Sequence, residues 1–310
     1  MSDLVIRPLE AGETELFLSY PHPHVPQVGP AGPERYHQNL ASGEYRPQWC
    51  WVALRDGAAV ARAAWWAGPE DSHPQALDWF DPGTEPGAGT ALLTAAHEVM
   101  RTETGDLPEY HLFLPPAWRD LPAARAAGEE RLAAAEPAGL TPFVERLNYR
   151  WTTGCPLPAR SERLEFRPAG EDAVLDVLRR ILAGTLDAFS ARDVARLGLD
   201  KAAATQLEEL HWFPAPREWW RIGYARDGAP VGITVPTRNY GGPVIGYVGV
   251  LPEHRGHGYA GDLLAEATLR LAAEPEGRIG ADTDVGNHPM AAAFERAGYP
   301  VVRTRLVLTG

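Results

Sequence analysis

Cysteine is scarce: the 310 residues hold two, Cys50 and Cys155. Far apart and in no metal-ligand spacing, they exclude a disulfide scaffold and a cysteine-built metal centre, and they read as unpaired thiols. Long apolar runs are missing too. No segment approaches the ~20 residues that cross a bilayer, and no basic-apolar leader is present, so a soluble cytoplasmic protein without a membrane partner is expected. Positive charge is in deficit, with 29 Lys and Arg against 41 Asp and Glu for a net −12. That balance disfavours a nucleic-acid polyanion and favours cationic small molecules. Histidines do not gather: neither His22 with His24 nor His254 with His257 has the third convergent ligand a metal site needs, and no metal is expected. No nucleophile motif appears, since Ser190 and Cys155 lack a nearby histidine.

What is present repeats. The length exceeds the usual single core, and a 45% hydrophobic content with ten Trp supplies ample core material. Arg167-Pro168 answers Arg7-Pro8, each in a strand-then-helix pattern. Arg55-Asp56-Gly57 and Arg226-Asp227-Gly228 each divide two apolar runs, a hairpin signal, at an offset of 171. Residues 145–149 (ERLNY) match 295–299 (ERAGY) at an offset of 150. Three matches in one order predict two copies of one α/β fold, residues 1–155 and 156–310, joined by the Pro-rich stretch 153–162. Each copy is expected to be a mixed sheet with helices on both faces. Trp65-Trp66, Trp212-Phe213 and Trp219-Trp220 read as packing, and residues 211–220 are an aromatic candidate for the wall of an acceptor pocket.

The chemistry concentrates in residues 244–271. A Val- and Ile-rich strand ends near Leu251, a turn carries Arg255, Gly256, His257 and Gly258, and an amphipathic helix starts at Tyr259. Small residues let a ligand approach the backbone, and the first N–H groups of the helix, around His257, Gly258, Tyr259 and Ala260, point at it as phosphate donors, with Arg255 adding charge and fixing the loop. Gly256, Gly258 and Gly261, with Asp282 about 20 residues on, also spell a dinucleotide fingerprint. Against that reading, residues 251–255 separate strand from turn, and a hairpin precedes the strand.

The run VGVLPEHRGHGYAGDLL followed by ADTDVGNHPMAAAFERAGY resembles the coenzyme A signature of the GCN5-related N-acetyltransferase superfamily, with Arg255, Gly258 and Ala260 in its key positions. The duplicated layout resembles tandem members of that superfamily. The resemblance implies acetyl-CoA as cofactor, a pantetheine arm paired with the backbone of Val248, Gly249, Val250 and Leu251, and a cofactor contact from Asn287. It also implies a tyrosine acid where this chain has Phe294, which holds a cofactor-side position but cannot donate a proton. Because a thiolate is a fair leaving group, activity survives that loss, and Tyr247, Tyr259 and Tyr299 are candidate substitutes. Asp282 and Asp284 close the strand beside the cleft and are candidate bases or attractants for a cationic amine; Glu253 and His254 sit at the turn's mouth.

The first copy serves as a control. At the offset of 171, RGHGYA falls on residues 84–89, TEPGAG: Glu85 sets a negative charge where a pyrophosphate would lie, and Pro86 removes a donor. That copy is expected to be degenerate and to bind no cofactor. The expectation is a monomeric or homodimeric tandem N-acetyltransferase acting on a small-molecule amine; the competing class is an acyl-CoA-binding regulatory module without catalysis.

Overall fold

The computed structural model describes residues 3–20, 25–30, 32–102 and 105–310, so His22 and His24 lie outside the described residues. In chain order the first part holds β1 (Val5–Pro8), α1 (Thr14–Leu18), α2 (Pro33–Ala41), β2 (Cys50–Arg55), β3 (Ala58–Trp66), β4 (Ala76–Asp81), α3 (Ala88–Met100), β5 (Glu109–Leu114), α4 (Pro122–Ala135) and β6 (Thr141–Thr152). The second holds β7 (Glu165–Pro168), α5 (Glu171–Leu182), α6 (Ala188–Leu197), α7 (Leu199–Trp212), β8 (Arg221–Tyr224), β9 (Pro230–Asn239), β10 (Gly242–Val250), α8 (Tyr259–Leu271), β11 (Arg278–Asp284), α9 (His288–Arg296) and β12 (Val301–Thr309). The chain between α5 and β8 forms two helices, α6 and α7, because Gly198 at φ 80° separates them.

Two compact units result, one of Met1–Glu145 with Arg303–Gly310 and one of Arg146–Val302. They differ from a cut at residue 155 by one strand each. In the first unit β1, β2, β3, β4 and β5 pair in that order, and β5 pairs antiparallel with β12, Leu112 opposite Leu306. In the second unit β7, β8, β9, β10 and β11 pair in the same order, and β11 pairs antiparallel with β6, Asp282 opposite Asn148. Each sequence copy therefore gives its last strand to the other unit.

The duplication corrects one sequence match. Residues 145–149 lie in β6, whereas 295–299 end α9, so the shared Glu-Arg is coincidental. The true counterparts are Ala138-Gly139-Leu140 and Ala297-Gly298-Tyr299, where Gly139 (φ 94°) and Gly298 (φ 77°) reverse the chain after α4 and α9. The first Asp-Gly makes a two-residue hairpin with Asp56 and Gly57 both left-handed, at φ 51° and 79°. The second sits in a longer loop closed by Ala225 N–H to Ala229 O.

Alternating residues split the cores. On β2, Trp51 and Ala53 face a cluster with α3 residues Leu92, Leu93 and Ala96, while Cys50, Val52 and Leu54 face Phe17, Tyr36 and Trp79. In the second unit Ile222, Ile233 and Val235 pack on α5 and α7, and Leu264, Leu271 and Phe294 with Ile279 form the core over α8 and α9.

One polar contact in the first unit carries a pH dependence. The Tyr45 hydroxyl donates to Asp78 Oδ1 at 2.7 Å, and burial pushes the Asp78 carboxyl up to about 7 despite that bond and Arg35. The unfolded chain loses this proton near pH ~4, so between there and about 7 the folded state binds more protons than the unfolded state. Stability from this group should therefore fall as pH rises through that window, by at most about 1.4 kcal/mol per pH unit. Urea titrations from pH ~4 to ~8 should show wild type losing stability relative to Asp78→Asn across that window. A constant difference between the two proteins would refute the assignment.

Candidate active site

The site is built where β10 leaves its neighbour. A register shift between Ile245 and Tyr247 bends β10, and its parallel pairing with β11 is confined to Val244 opposite Gly280. Beyond that point β10 stays bonded to β9 alone as far as Val250 opposite Gly232. Leu251 N–H donates to Val231 O on the β9 side at 2.9 Å. By the period of two, Gly249 N–H faces the same way, and those of Val248 and Val250 face the opened side. Of the four backbone positions predicted to meet an acyl arm, Val248 and Val250 thus present donors; Gly249 and Leu251 do not. Leu251 is instead a fully buried core side chain.

The strand runs into the glycine turn. Gly256 (φ 79°) and Gly258 (φ 78°) are left-handed, which explains why both are glycine. Among the described residues no side chain caps α8, and no group accepts from the N–H groups of His257, Gly258, Tyr259 and Ala260. Added Cβ atoms at Gly256 and Gly261 would meet nothing within 4 Å. Four convergent N–H groups at the positive end of a helix, with open space before them, fit a diphosphate. Arg255 contributes from behind: its guanidinium donates to Val250 O (3.2 Å), Gly184 O (2.8 Å) and Ile181 O (2.9 Å), tying the turn to the end of α5.

The first unit keeps this frame and fills it. Gly87 caps α3 with φ 81°, as Gly258 caps α8, so the offset of 171 superposes the two turns. There Glu85 is ion-paired with Arg55, and a Cβ at Gly89 would come within 2.6 Å of Pro82. Pairing of β4 with β5 stops at Leu77 opposite Tyr110. Past that point Arg131, from α4, donates to Phe80 O at 2.9 Å and to Asp81 at 2.6 Å.

Several predicted residues take other roles. Asn287 is the N-cap of α9, its Oδ1 accepting from Met290 N–H at 3.3 Å. Phe294 is 2% exposed, stacked on Tyr149 with ring centroids 4.6 Å apart and edge-on to Tyr299. It is a core residue and reaches no open surface, because an apolar ring in this position packs inward. Tyr299 shares a 2.7 Å hydrogen bond with Thr268. Tyr259 lies under the Arg163 guanidinium at 4.6 Å. Tyr247 is half-buried on the opened strand, and its hydroxyl is held well above the ordinary range, first by desolvation and then by Asp187. Glu253 is ion-paired with Arg180. In residues 211–220, His211 stacks on Trp220 at 5.6 Å while Trp212 stays 54% exposed, edge-on to Phe213 and Tyr240.

Asp282 and Asp284 share a face of β11, opposite Asn148 and Arg146 on β6. Arg146 is the organising charge that the sequence did not reveal. Its guanidinium meets Asp282 at 2.7 Å, Asp284 at 2.9 Å and Asp187, the N-cap of α6, at 3.0 Å. Asp284 has only 3% of its side chain exposed and accepts from Ala188 N–H at 2.6 Å, so it joins β11 to α6 instead of meeting a substrate. Burial raises the Asp284 carboxyl, opposed by that N–H and by Arg146. Asp282 and Asp187, 31% and 30% exposed, are the members that solvent reaches. Arg146 thus gathers three carboxylates beside the opened strand. Among the described residues no three His, Cys, Asp or Glu could hold a metal, and no helix is long and apolar enough to cross a membrane.

Two repeated mixed α/β units, one with an open strand fork and a bare helix start, define a tandem N-acetyltransferase-type fold. Residues 191–299 match the model of the Acetyltransferase (GNAT) family. Among solved structures, a GCN5-related N-acetyltransferase from Sphaerobacter thermophilus is 16% identical with a TM-score of 0.59, over 99% of this chain and 95% of its own. A tandem GNAT protein from the clavulanic acid biosynthesis pathway is 18% identical with a TM-score of 0.50, over 99% and 98%. The GCN5-related glucosamine N-acetyltransferase region of a fungal multi-domain β-N-acetylglucosaminidase is 14% identical with a TM-score of 0.58, over 99% of this chain and 38% of that one. These likenesses concern the fold. Comparison with curated proteins gave no match.

Proposed function

We propose that the second unit binds acetyl-CoA and catalyses direct transfer of its acetyl group to the amine of a cationic small molecule in the cytoplasm. The observation that carries this reading is the continuity of the open β10 edge with the uncapped turn at residues 256–260. When bound, acetyl-CoA supplies an activated thioester. The turn's N–H groups hold the diphosphate, and the Val248 or Val250 N–H is placed to polarise the thioester carbonyl. Asp282 attracts the ammonium and accepts its proton, directly or through water, while Arg146 fixes the carboxylate's orientation. Tyr247, protonated at neutral pH, replaces the absent family tyrosine in giving the leaving sulfur a proton. In the first unit Arg131 lies where an acyl arm would run, which supports a single cofactor per chain.

Acetyl-CoA titration together with thiol release across a panel of amines tests this reading. A catalyst releases thiol with at least one amine; a regulatory module binds the cofactor and releases none. Tyr247→Phe should lower the rate of thiol release about 100-fold with acetyl-CoA affinity unchanged. An unaltered rate would remove Tyr247 from the mechanism.

A further inference from the structure

The segment between α5 and α6, residues 183–187, is held at both ends. Arg255 of the glycine turn donates to Gly184 O at 2.8 Å. At the other end Asp187 meets Arg146 at 3.0 Å, and Ala188 N–H donates to Asp284 at 2.6 Å. Leu186 lies between these ties, yet its side chain is 57% exposed. Val285, which follows Asp284, is 38% exposed. Phe189, in the first turn of α6, is half-buried and carries the Arg146 guanidinium over its ring at 5.7 Å. Every residue of α6 is at least partly exposed.

Apolar side chains exposed singly need no explanation. These three are grouped: each lies within two residues of the link between Ala188 and Asp284. They therefore adjoin Asp187 and Asp282, the carboxylates that solvent reaches. Asp187 also acts on the Tyr247 hydroxyl, which brings the proposed acid to the same place. An anionic spot thus meets an apolar rim whose backbone is fixed by hydrogen bonds. The molecule complementary to both is a primary amine on an apolar body, with its ammonium toward the carboxylates and its hydrocarbon covering the rim. An amino sugar would set hydroxyl groups against Leu186, Phe189 and Val285, and a polyamine a second ammonium, each giving up water without a new partner.

We propose that the acceptor is an alkylamine or arylalkylamine, and that Leu186, Phe189 and Val285 select it by receiving its apolar group. The carboxylates recognise the amine, and the rim recognises what the amine is attached to. This inference rests on the acetyl-transfer reading above and names the substrate class of the same site.

Thiol release by the full-length protein should be measured with n-alkylamines from ethyl to hexyl, which differ in length but hardly in basicity, and with 2-phenylethylamine, glucosamine and putrescine. Wild-type kcat/KM should rise about threefold per methylene, just short of the value for complete burial. It should favour 2-phenylethylamine over glucosamine and putrescine by about tenfold or more. Leu186→Asn/Val285→Asn should flatten the series to less than about 1.5-fold per methylene, whereas Leu186→Met/Val285→Ile should keep the slope. Acetyl-CoA affinity, read by calorimetry, should be the same in all three proteins and shows that each is folded. A flat series in wild type, a preference for glucosamine or putrescine, or a slope retained by the asparagine variant would overturn the assignment and leave acetyl transfer standing. Thiol release with none of the amines would overturn the transfer reading, and this inference with it.

Discussion

Arg146→Ala should destabilise the second unit by about 3–5 kcal/mol, the usual result of stripping one partner from a buried ion pair. Arg146 is 9% exposed and meets Asp187, Asp282 and Asp284 within 3.0 Å. Its removal leaves Asp284 buried, with the Ala188 N–H as the remaining donor the structure assigns to it. Arg146→Lys should fall between, because one ammonium cannot span three carboxylates as a planar fork does. Adding Asp284→Asn to the alanine variant should restore part of the loss, since it removes the charge left uncompensated. Denaturant midpoints check all three variants. A loss below about 1 kcal/mol for Arg146→Ala would mean that the cluster is effectively solvated.

The second large effect comes from transplanting the first copy's turn. Gly256→Glu with His257→Pro places in the second unit the two residues found at Glu85 and Pro86. The carboxylate opposes the diphosphate, proline removes an N–H, and a side chain at φ 79° strains the turn. Acetyl-CoA affinity should fall roughly 100- to 1,000-fold, from losing a charge-assisted bond and adding a like charge. Calorimetric titration reads the affinity, and far-UV circular dichroism verifies that the helix persists. A change of threefold or less would place the diphosphate elsewhere.

Local chemistry made much of this legible in advance. Gly256 and Gly258 mark a turn that a ligand can approach and Asp56-Gly57 marks its hairpin, because each is decided within a few residues. Phe294 was misplaced because a position inherited from a pattern says nothing of which way an apolar ring turns. Arg146 could not be found from sequence: it meets Asp282 only through the pairing of β6 with β11, across 136 residues. Asp284 looked equivalent to Asp282, and only burial separates a structural carboxylate from an accessible one. The prolines of residues 153–162 suit a linker but give no sign that Ser161 and Arg163 fasten the chain to Asp262.

The trade of last strands bears on biosynthesis. During translation β5 has no antiparallel neighbour at Leu112 until residue 306 exists, so the earlier-made unit waits for the last-made strand. A fragment of residues 1–155 would carry β6 without its partner β11 and leave β5 a bare edge, open to pairing with other chains. The two copies, although they arose as repeats of one plan, mature together as a single folding transaction.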